Sequence, residues 1–520
     1  MNFKKLKLLA LTGTTALTLH SAKSEALLAG VKTSGMAATS VAYPIDAFAG
    51  AYNPASITGL CNRMDAGISW VYTHQGASIV DLPCYSNCTS LLLFTGGLNP
   101  CTLNCYHDGA KTANTYVPEF GINKKWNICC NWYDYPVEFS TSFIVYNRNE
   151  MKTTYGSALE LFGTTPLGLE YIHETAALVN AVRFFNMHSF GIAINYNIQR
   201  IKIDGLEHFQ NALFSVSPDD TTNRGYNYSN GVGVVLGYLF EWKCVKIGAG
   251  WQPKTHMKKF NKYQGFIADH GSFDLPERYT AGISYKPMCD LAFAFDWEYI
   301  KWRQIPQLRN PTFLDPENCL TIFPNISPSP LLGAKNGPGF GFNDQAFFRV
   351  GVEYNLLPCI TLRTGFRHAN SPVKEHWTAA NMLTLDCMEN VFTFGGTWKI
   401  NACNEINIFY GLGLLKKVAG KESIPSFLRK PSRSNPHVPT RFPINMTTCN
   451  TDPCACCVCS ENDNDTESDD TSRACCCQPE ANPSGSLCSS FNLNNFADGA
   501  GEVNIKQRRC VLGISWGYKF

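Results

Sequence analysis

The chain is poor in charge: only 17% of its 520 residues are Asp, Glu, Lys or Arg, and the net charge is +2. That balance gives no basic field for nucleic acid. Beyond the N-terminal leader there is no uninterrupted run of ~18 apolar residues, so no helical membrane anchor is expected. Histidines are few (11) and no pair has zincin spacing, while Gly337-Pro338-Gly339 reads as loop rather than phosphate cradle. Gly513-Ile514-Ser515-Trp516-Gly517 matches a nucleophile elbow, but that elbow needs a strand-to-helix turn with acid and base partners following. Ser515 sits near the end of the chain with no histidine after it. No enzyme, cofactor or metal site is expected.

What the chain has in quantity is glycine (41), aromatic residues (12%) and cysteine (23). Its last residues, VLGISWGYKF, alternate strictly, with Leu512, Ile514, Trp516, Tyr518 and Phe520 on one face and Gly513, Ser515, Gly517 and Lys519 on the other. An exposed aromatic edge strand invites aggregation in water. A closed barrel in a bilayer needs this pattern, apolar towards lipid and small or polar towards the lumen. At the other end, Lys4, Lys5 and Lys7, the apolar stretch Leu8 to Leu19, and Ser24-Glu25-Ala26 read as a secretory signal peptide over 1–26.

Period-2 alternation predicts strands near 64–77, 114–128, 136–147, 166–186, 189–204, 229–242, 245–257, 276–287, 290–303, 345–356, 359–369, 390–400, 404–416 and 509–520. Fourteen strands is an even number, as single-chain bacterial barrels have. Short turns follow residues 128, 186, 242, 287, 356 and 400, and longer loops lie between the other pairs. Such barrels place short turns in the periplasm and long loops outside, so both chain ends come out periplasmic. The expectation is an all-β transmembrane antiparallel barrel over 64–520 in the outer membrane of a Gram-negative-type bacterium. Residues 27–63, rich in Gly, Ala and Ser, show no convincing strand and either dangle in the periplasm or fold into the lumen.

The segment SGMAATSVAYPIDAFAGAYNPASITGL (34–60), with Asn53-Pro54-Ala55 and Asp46 upstream, resembles the N-terminal hatch of FadL-type outer-membrane transporters of long-chain fatty acids and other hydrophobic compounds. LPERYTAGISY (275–285) followed by Trp302, and FRVGVEYNLLPCITLRTGFRHANSPV (348–373), are similar to that family's later strands. The resemblance implies a fourteen-stranded barrel, a lumenal hatch over 27–63 and sideways release of an apolar ligand through the wall. The chain departs from the pattern in its cysteines and in the insert 417–508. The alternative reading is a structural, disulfide-cross-linked outer-membrane protein or a non-specific porin.

Transport of a fatty acid asks for an apolar pocket and one or two cations for the carboxylate. Strand parity offers Arg349, Arg363 and Arg367 as lumenal candidates, with Arg200 and Lys202 at the outer end of their strand. The simpler reading of Arg349 and Arg363 is pairing with Glu353, Asp296 or Glu298. Asn and Pro favour turns, so Asn53-Pro54 holds a bend in the hatch, either static or the part that moves. Twenty-three cysteines in an exported chain imply an oxidising compartment, and the odd count leaves at least one thiol outside any internal pairing. Cys84, Cys88, Cys101 and Cys105 read as loop staples, and the insert, with nine cysteines from Cys449 to Cys488, as a disulfide-rich surface loop. Cys129, Cys130, Cys244, Cys289, Cys359 and Cys403 fall at or beside periplasmic turns, with Cys61 at the hatch exit. They are candidates for disulfides to cysteine-rich envelope proteins. No cysteine is expected mid-strand in the lipid-facing band.

Overall fold

The computed structural model describes residues 29–80, 113–132, 135–159, 162–212, 214–312, 330–420 and 502–520. The leader, Cys84, Cys88, Cys101, Cys105 and Cys319, most of the insert 417–508, and the side chains of Cys129 and Cys130 lie outside what it describes.

The strands are β1 (Arg63–Val80), β2 (Ala113–Trp132), β3 (Tyr135–Ala158), β4 (Pro166–Phe184) and β5 (His188–Asp204). They continue as β6 (Asn227–Trp242), β7 (Val245–Gln252), β8 (Arg278–Met288), β9 (Leu291–Ile300) and β10 (Gln345–Leu357). The last are β11 (Ile360–Ala369), β12 (Asn390–Lys399), β13 (Asn404–Val418) and β14 (Glu502–Lys519). Each pairs antiparallel with its sequence neighbours, and β14 closes on β1, making a fourteen-stranded closed barrel.

Alternation in the sequence becomes two faces of the wall. On β14, Leu512, Ile514 and Trp516 are 41–50% exposed, while the neighbouring Val511 and Ser515 are 2% and 5% exposed. The same outward apolar face runs around the barrel, for example Ile194, Phe293, Val350 and Phe394. No described helix is long and apolar enough to cross a membrane, and here strands cross instead. The protein is a membrane-spanning barrel of the outer-membrane type.

Several strand ends differ from the sequence reading, for physical reasons. β7 stops at Gln252 because Pro253 has no N–H for the ladder. β3 continues eleven residues past Asn147, and β14 starts seven residues before Arg509. In both extensions the polarity inverts: Met151, Thr153 and Tyr155, like Val503 and Ile505, are buried on the inner face. These stretches stand above the lipid, where the outer face meets water. A search for lipid-facing apolar residues therefore misses them. Cys510 also departs from expectation, lying on the outward face of β14 with its Sγ 3.7 Å from the Tyr410 hydroxyl.

At the outer end, the described parts of the loops, 205–212, 214–226, 253–277, 301–312, 330–344 and 370–389, close an apolar cap, which buries Phe162, Phe209, Phe260, Tyr263, Phe266 and Phe340. Residues 29–62 lie inside the barrel and are almost entirely buried. Their backbone is bonded by inward side chains from all round the wall. Glu119 accepts from the N–H groups of Gly30 and Val31 at 2.8 Å each, and Asp296 from Ser40 (2.7 Å) and Val41 (2.9 Å). Asp65 accepts from Ala47, and the Thr393 hydroxyl from Ala37, both at 2.8 Å. Lys32 pairs with Glu405 at 2.7 Å. A segment without regular structure must find partners for its buried peptide groups, and here the wall supplies them.

Candidate functional site

Within the N-terminal segment, two side chains start short 3-10 turns. Asp46 caps Ala47–Ala51 by accepting from the Phe48 N–H (3.1 Å), and it also accepts from the Thr33 N–H (2.9 Å) and hydroxyl (2.7 Å). Asn53 caps Pro54–Gly59, with Pro54 at the first position, where its missing N–H costs nothing. The Asn53 carbonyl oxygen accepts from the Ala55 N–H (3.1 Å), and its amide donates to the Val41 and Tyr238 carbonyls, both at 2.9 Å. Asn53 thus ties the segment to itself and to β6. The close approach requires glycine in the wall: a Cβ on Gly237 would strike Asn53 and Pro54, and one on Gly191 would strike the Ala55 backbone. Those two glycines face each other across β5 and β6.

Between this segment and the outer cap lies a cavity of about 70 Å3 that is partly open to solvent. Its walls include Met151, Tyr171, Phe273, Ile300, Trp302 and Phe342. Its polar floor brings together Arg148 of β3, His173 of β4, Gln252 of β7, Arg278 of β8 and Glu298 of β9. A second, much smaller space of about 10 Å3 shares Met151, Tyr171 and Phe273 and lies among Leu169, Ile201, Phe266 and Phe340.

Two arginines, Arg148 and Arg278, and three carboxylates, Asp274, Glu298 and Asp386, line the cavity, with Asp274 paired to Lys254 at 3.1 Å. Glu298 is shared by Arg278 (3.0 Å) and Arg349. Arg278 also donates to the Ala51 carbonyl at 3.1 Å, so the floor touches the N-terminal segment directly. Arg148 donates through Nη2 to Gln252 Oε1, while its Nη1 is buried and has no hydrogen-bond partner among the described residues. Nor does Arg148 form an ion pair there. His173 is held by Asn197 at 3.0 Å.

Arg148 is placed by a bulge. Asn147 pairs with Glu174 and Asn149 with His173, so Arg148 is the extra residue, and both Arg148 and Asn149 line the cavity. Just there the wall parts. β2 and β3 pair only as far as Phe120 with Val145, while β1 holds β2 out to Ala113 and β4 holds β3 out to Ala158. Pro118 contributes no donor on the β2 side of the parted stretch.

The cations read from the sequence occupy other places. Arg349, Arg363 and Arg367 do point inward and are buried, but Arg349 pairs with Glu298, and Arg363 with Glu353 at 2.7 Å. Arg367 packs over Phe347. Arg200 and Lys202 share the outward face of β5 with Ile194, Tyr196 and Ile198, not the lumenal face. Arg200 pairs with Glu170 (3.4 Å) and stacks on Tyr226, and Lys202 pairs with Asp204 (2.6 Å). None of the five lines the cavity. Arg278 was legible by parity, since Ile283 and Tyr285 face out and even positions of β8 therefore face in. Arg148 was not, because it lies beyond the last lipid-patterned residue of β3. Above the floor, at the barrel rim, Glu277 accepts from Lys301 (2.8 Å), Tyr279 and Trp251 (2.9 Å), which pulls its carboxyl down to about 2.

No protein-family model matches the sequence, and no curated protein matches it. Solved structures do. A FadL homologue of Pseudomonas aeruginosa superposes with a TM-score of 0.55 at 11% identity, covering 96% of this chain and 100% of that one. The toluene transporter TodX of Pseudomonas putida gives 0.51 at 12% identity, covering 94% and 98%. At these identities the likeness is one of fold: over nearly its whole length the chain is built like a FadL-type barrel.

Proposed function

We propose that the barrel carries hydrophobic molecules inward across the outer membrane, with carboxylate-bearing amphiphiles such as long-chain fatty acids among its ligands. In this reading residues 27–63 act as the plug, and the ligand leaves sideways into the bilayer between the parted ends of β2 and β3. The observation that carries it is the cavity: apolar walls above a floor with Arg148 and Arg278, lined by Arg148, Asn149 and Met151 where β3 is no longer paired with β2. The apolar walls match an alkyl chain in character, and a carboxylate accepts charge-assisted hydrogen bonds from the floor, where Arg148 Nη1 has no partner among the described residues. A carboxylate on Arg278 competes with the Ala51 carbonyl, which couples ligand arrival to the plug. The buried packing of residues 29–62 favours this reading over a non-specific pore, which needs an open lumen. The solved structures of similar fold include a toluene transporter, which supports an apolar cargo.

The test uses cells lacking their own transporters for such compounds, with insertion of the expressed barrel verified. Uptake of labelled oleate and of toluene should both be restored. Arg148→Ala with Arg278→Ala should lower oleate uptake at least about tenfold, since charge-assisted hydrogen bonds contribute roughly 1.5–3 kcal/mol each, and spare toluene. If inserted protein restores neither, the transport reading fails and a structural role takes its place.

A further inference from the structure

All the exposed free thiols among the described residues lie at one end of the barrel: Cys61, Cys244, Cys289, Cys359 and Cys403. Cys387 is buried in the outer cap and Cys510 is half-buried on the wall. The five follow one another along the rim. Four occupy the turns β6–β7, β8–β9, β10–β11 and β12–β13, and Cys61 precedes β1. By their place on β2, Cys129 and Cys130 belong to the same end.

Each of these cysteines is pinned by its own carbonyl. The backbone N–H groups of Lys286, Lys399 and Lys519 donate to Cys244 (2.8 Å), Cys359 (2.8 Å) and Cys403 (2.7 Å). The side chains of Asn355 and Asn123 donate to Cys289 (3.4 Å) and Cys61 (3.1 Å). Each turn is therefore locked to its neighbouring strand while its thiol faces solvent. Successive sites are two strands apart, about 10 Å along the sheet. A disulfide needs Cα atoms roughly 4.4–6.8 Å apart. Neighbouring thiols of the set are spaced beyond each other's reach. This end carries the tight turns, which in such barrels is the periplasmic side, an oxidising space.

We propose that this row of thiols is an attachment surface, joined by mixed disulfides to periplasmic protein chains that carry accessible disulfides. In the exchange, a cysteine Sγ attacks one sulfur of the partner's disulfide as its thiolate. The new S–S bond forms as the partner's breaks, and the departing sulfur leaves as thiolate and takes up the proton that the attacking thiol gave up. No net oxidant is needed. Fixed spacing along the rim suits a partner with several cysteines or an array of copies. The proposal rests on the rim alone and does not depend on the transport reading.

The test is non-reducing electrophoresis of native envelopes alkylated with N-ethylmaleimide before lysis. We expect adducts of this chain with a different protein, collapsing to monomer with reductant. They should fall sharply when all five cysteines are changed to serine, disappear when Cys129 and Cys130 are changed as well, and persist in Cys387→Ser. Heat-shifted mobility reports whether the five-serine barrel has folded. If it has not, mass spectrometry of non-reduced wild-type peptides locates the mixed disulfides directly. Five fully alkylated thiols with no adduct, adducts undiminished in a folded five-serine variant, or adducts made only of two copies of this chain would each overturn the proposal.

Discussion

The seam where β14 closes on β1 is laddered from Arg63 with Lys519 to Val80 with Glu502. The seam between β2 and β3 is laddered only up to Phe120 with Val145, although both strands run on for several residues. The first seam has small or β-branched residues in steady alternation and no proline. The second has Pro118 on one side and the Arg148 bulge just past the last pair on the other. Above the bulge, β3 follows β4 and turns Met151 and Tyr155 inward to the cap. A barrel can thus leave one stretch of ladder unmade, because each parted strand keeps its other neighbour. On the β3 side of the parted stretch, Arg148, Asn149 and Met151 line the cavity.

The largest expected effect is on the complete part of the wall. Ile514→Arg puts a cation on the lipid face of β14 and should destabilise the barrel by roughly 2–4 kcal/mol if it lies near the midplane. Urea unfolding in lipid vesicles measures this. An unchanged midpoint would mean that this face does not meet lipid. Next is the tie between segment and wall. Asn53→Ala removes three hydrogen bonds, to the Tyr238 and Val41 carbonyls and from the Ala55 N–H, and should cost roughly 1–3 kcal/mol in all. The barrel should stay folded while ion conductance in planar bilayers rises. Unaltered conductance would show that the segment holds without its cap. The smallest effect is at the outer rim. Because the folded Glu277 carboxyl titrates near 2, below the ordinary value of about 4.3, its stabilisation is present above about pH 4 and is lost as pH falls towards 2. Glu277→Gln should therefore unfold slightly more easily than wild type at pH 7 and equally at pH 2. A difference that persists at pH 2 would assign the effect to packing.

The wall was legible because lipid imposes a strict rule on every second residue, as Leu291, Phe293, Phe295, Trp297 and Tyr299 show. The rule fails where lipid ends. The sequence offers Arg200 and Lys202 to an approaching ligand, yet they continue the outward face of β5 into water, where charge is ordinary. Beyond Asn147 the bulge and the inverted polarity of β3 hid Arg148. The conformation of residues 29–62 was unreadable for another reason: its hydrogen bonds go to Glu119, Asp296 and Thr393, far away in sequence. Only the two capping residues, Asp46 and Asn53, left a local trace.

The account turns on the parted seam, and deleting Arg148 tests it most directly. Without the extra residue β3 can pair with β4 in continuous register, and its outer half can rejoin β2. With the barrel shown to be folded by heat-shifted mobility, uptake of labelled toluene, which needs no guanidinium, should fall to the level of cells without the protein. Undiminished toluene uptake by the folded deletion variant would contradict sideways release between β2 and β3.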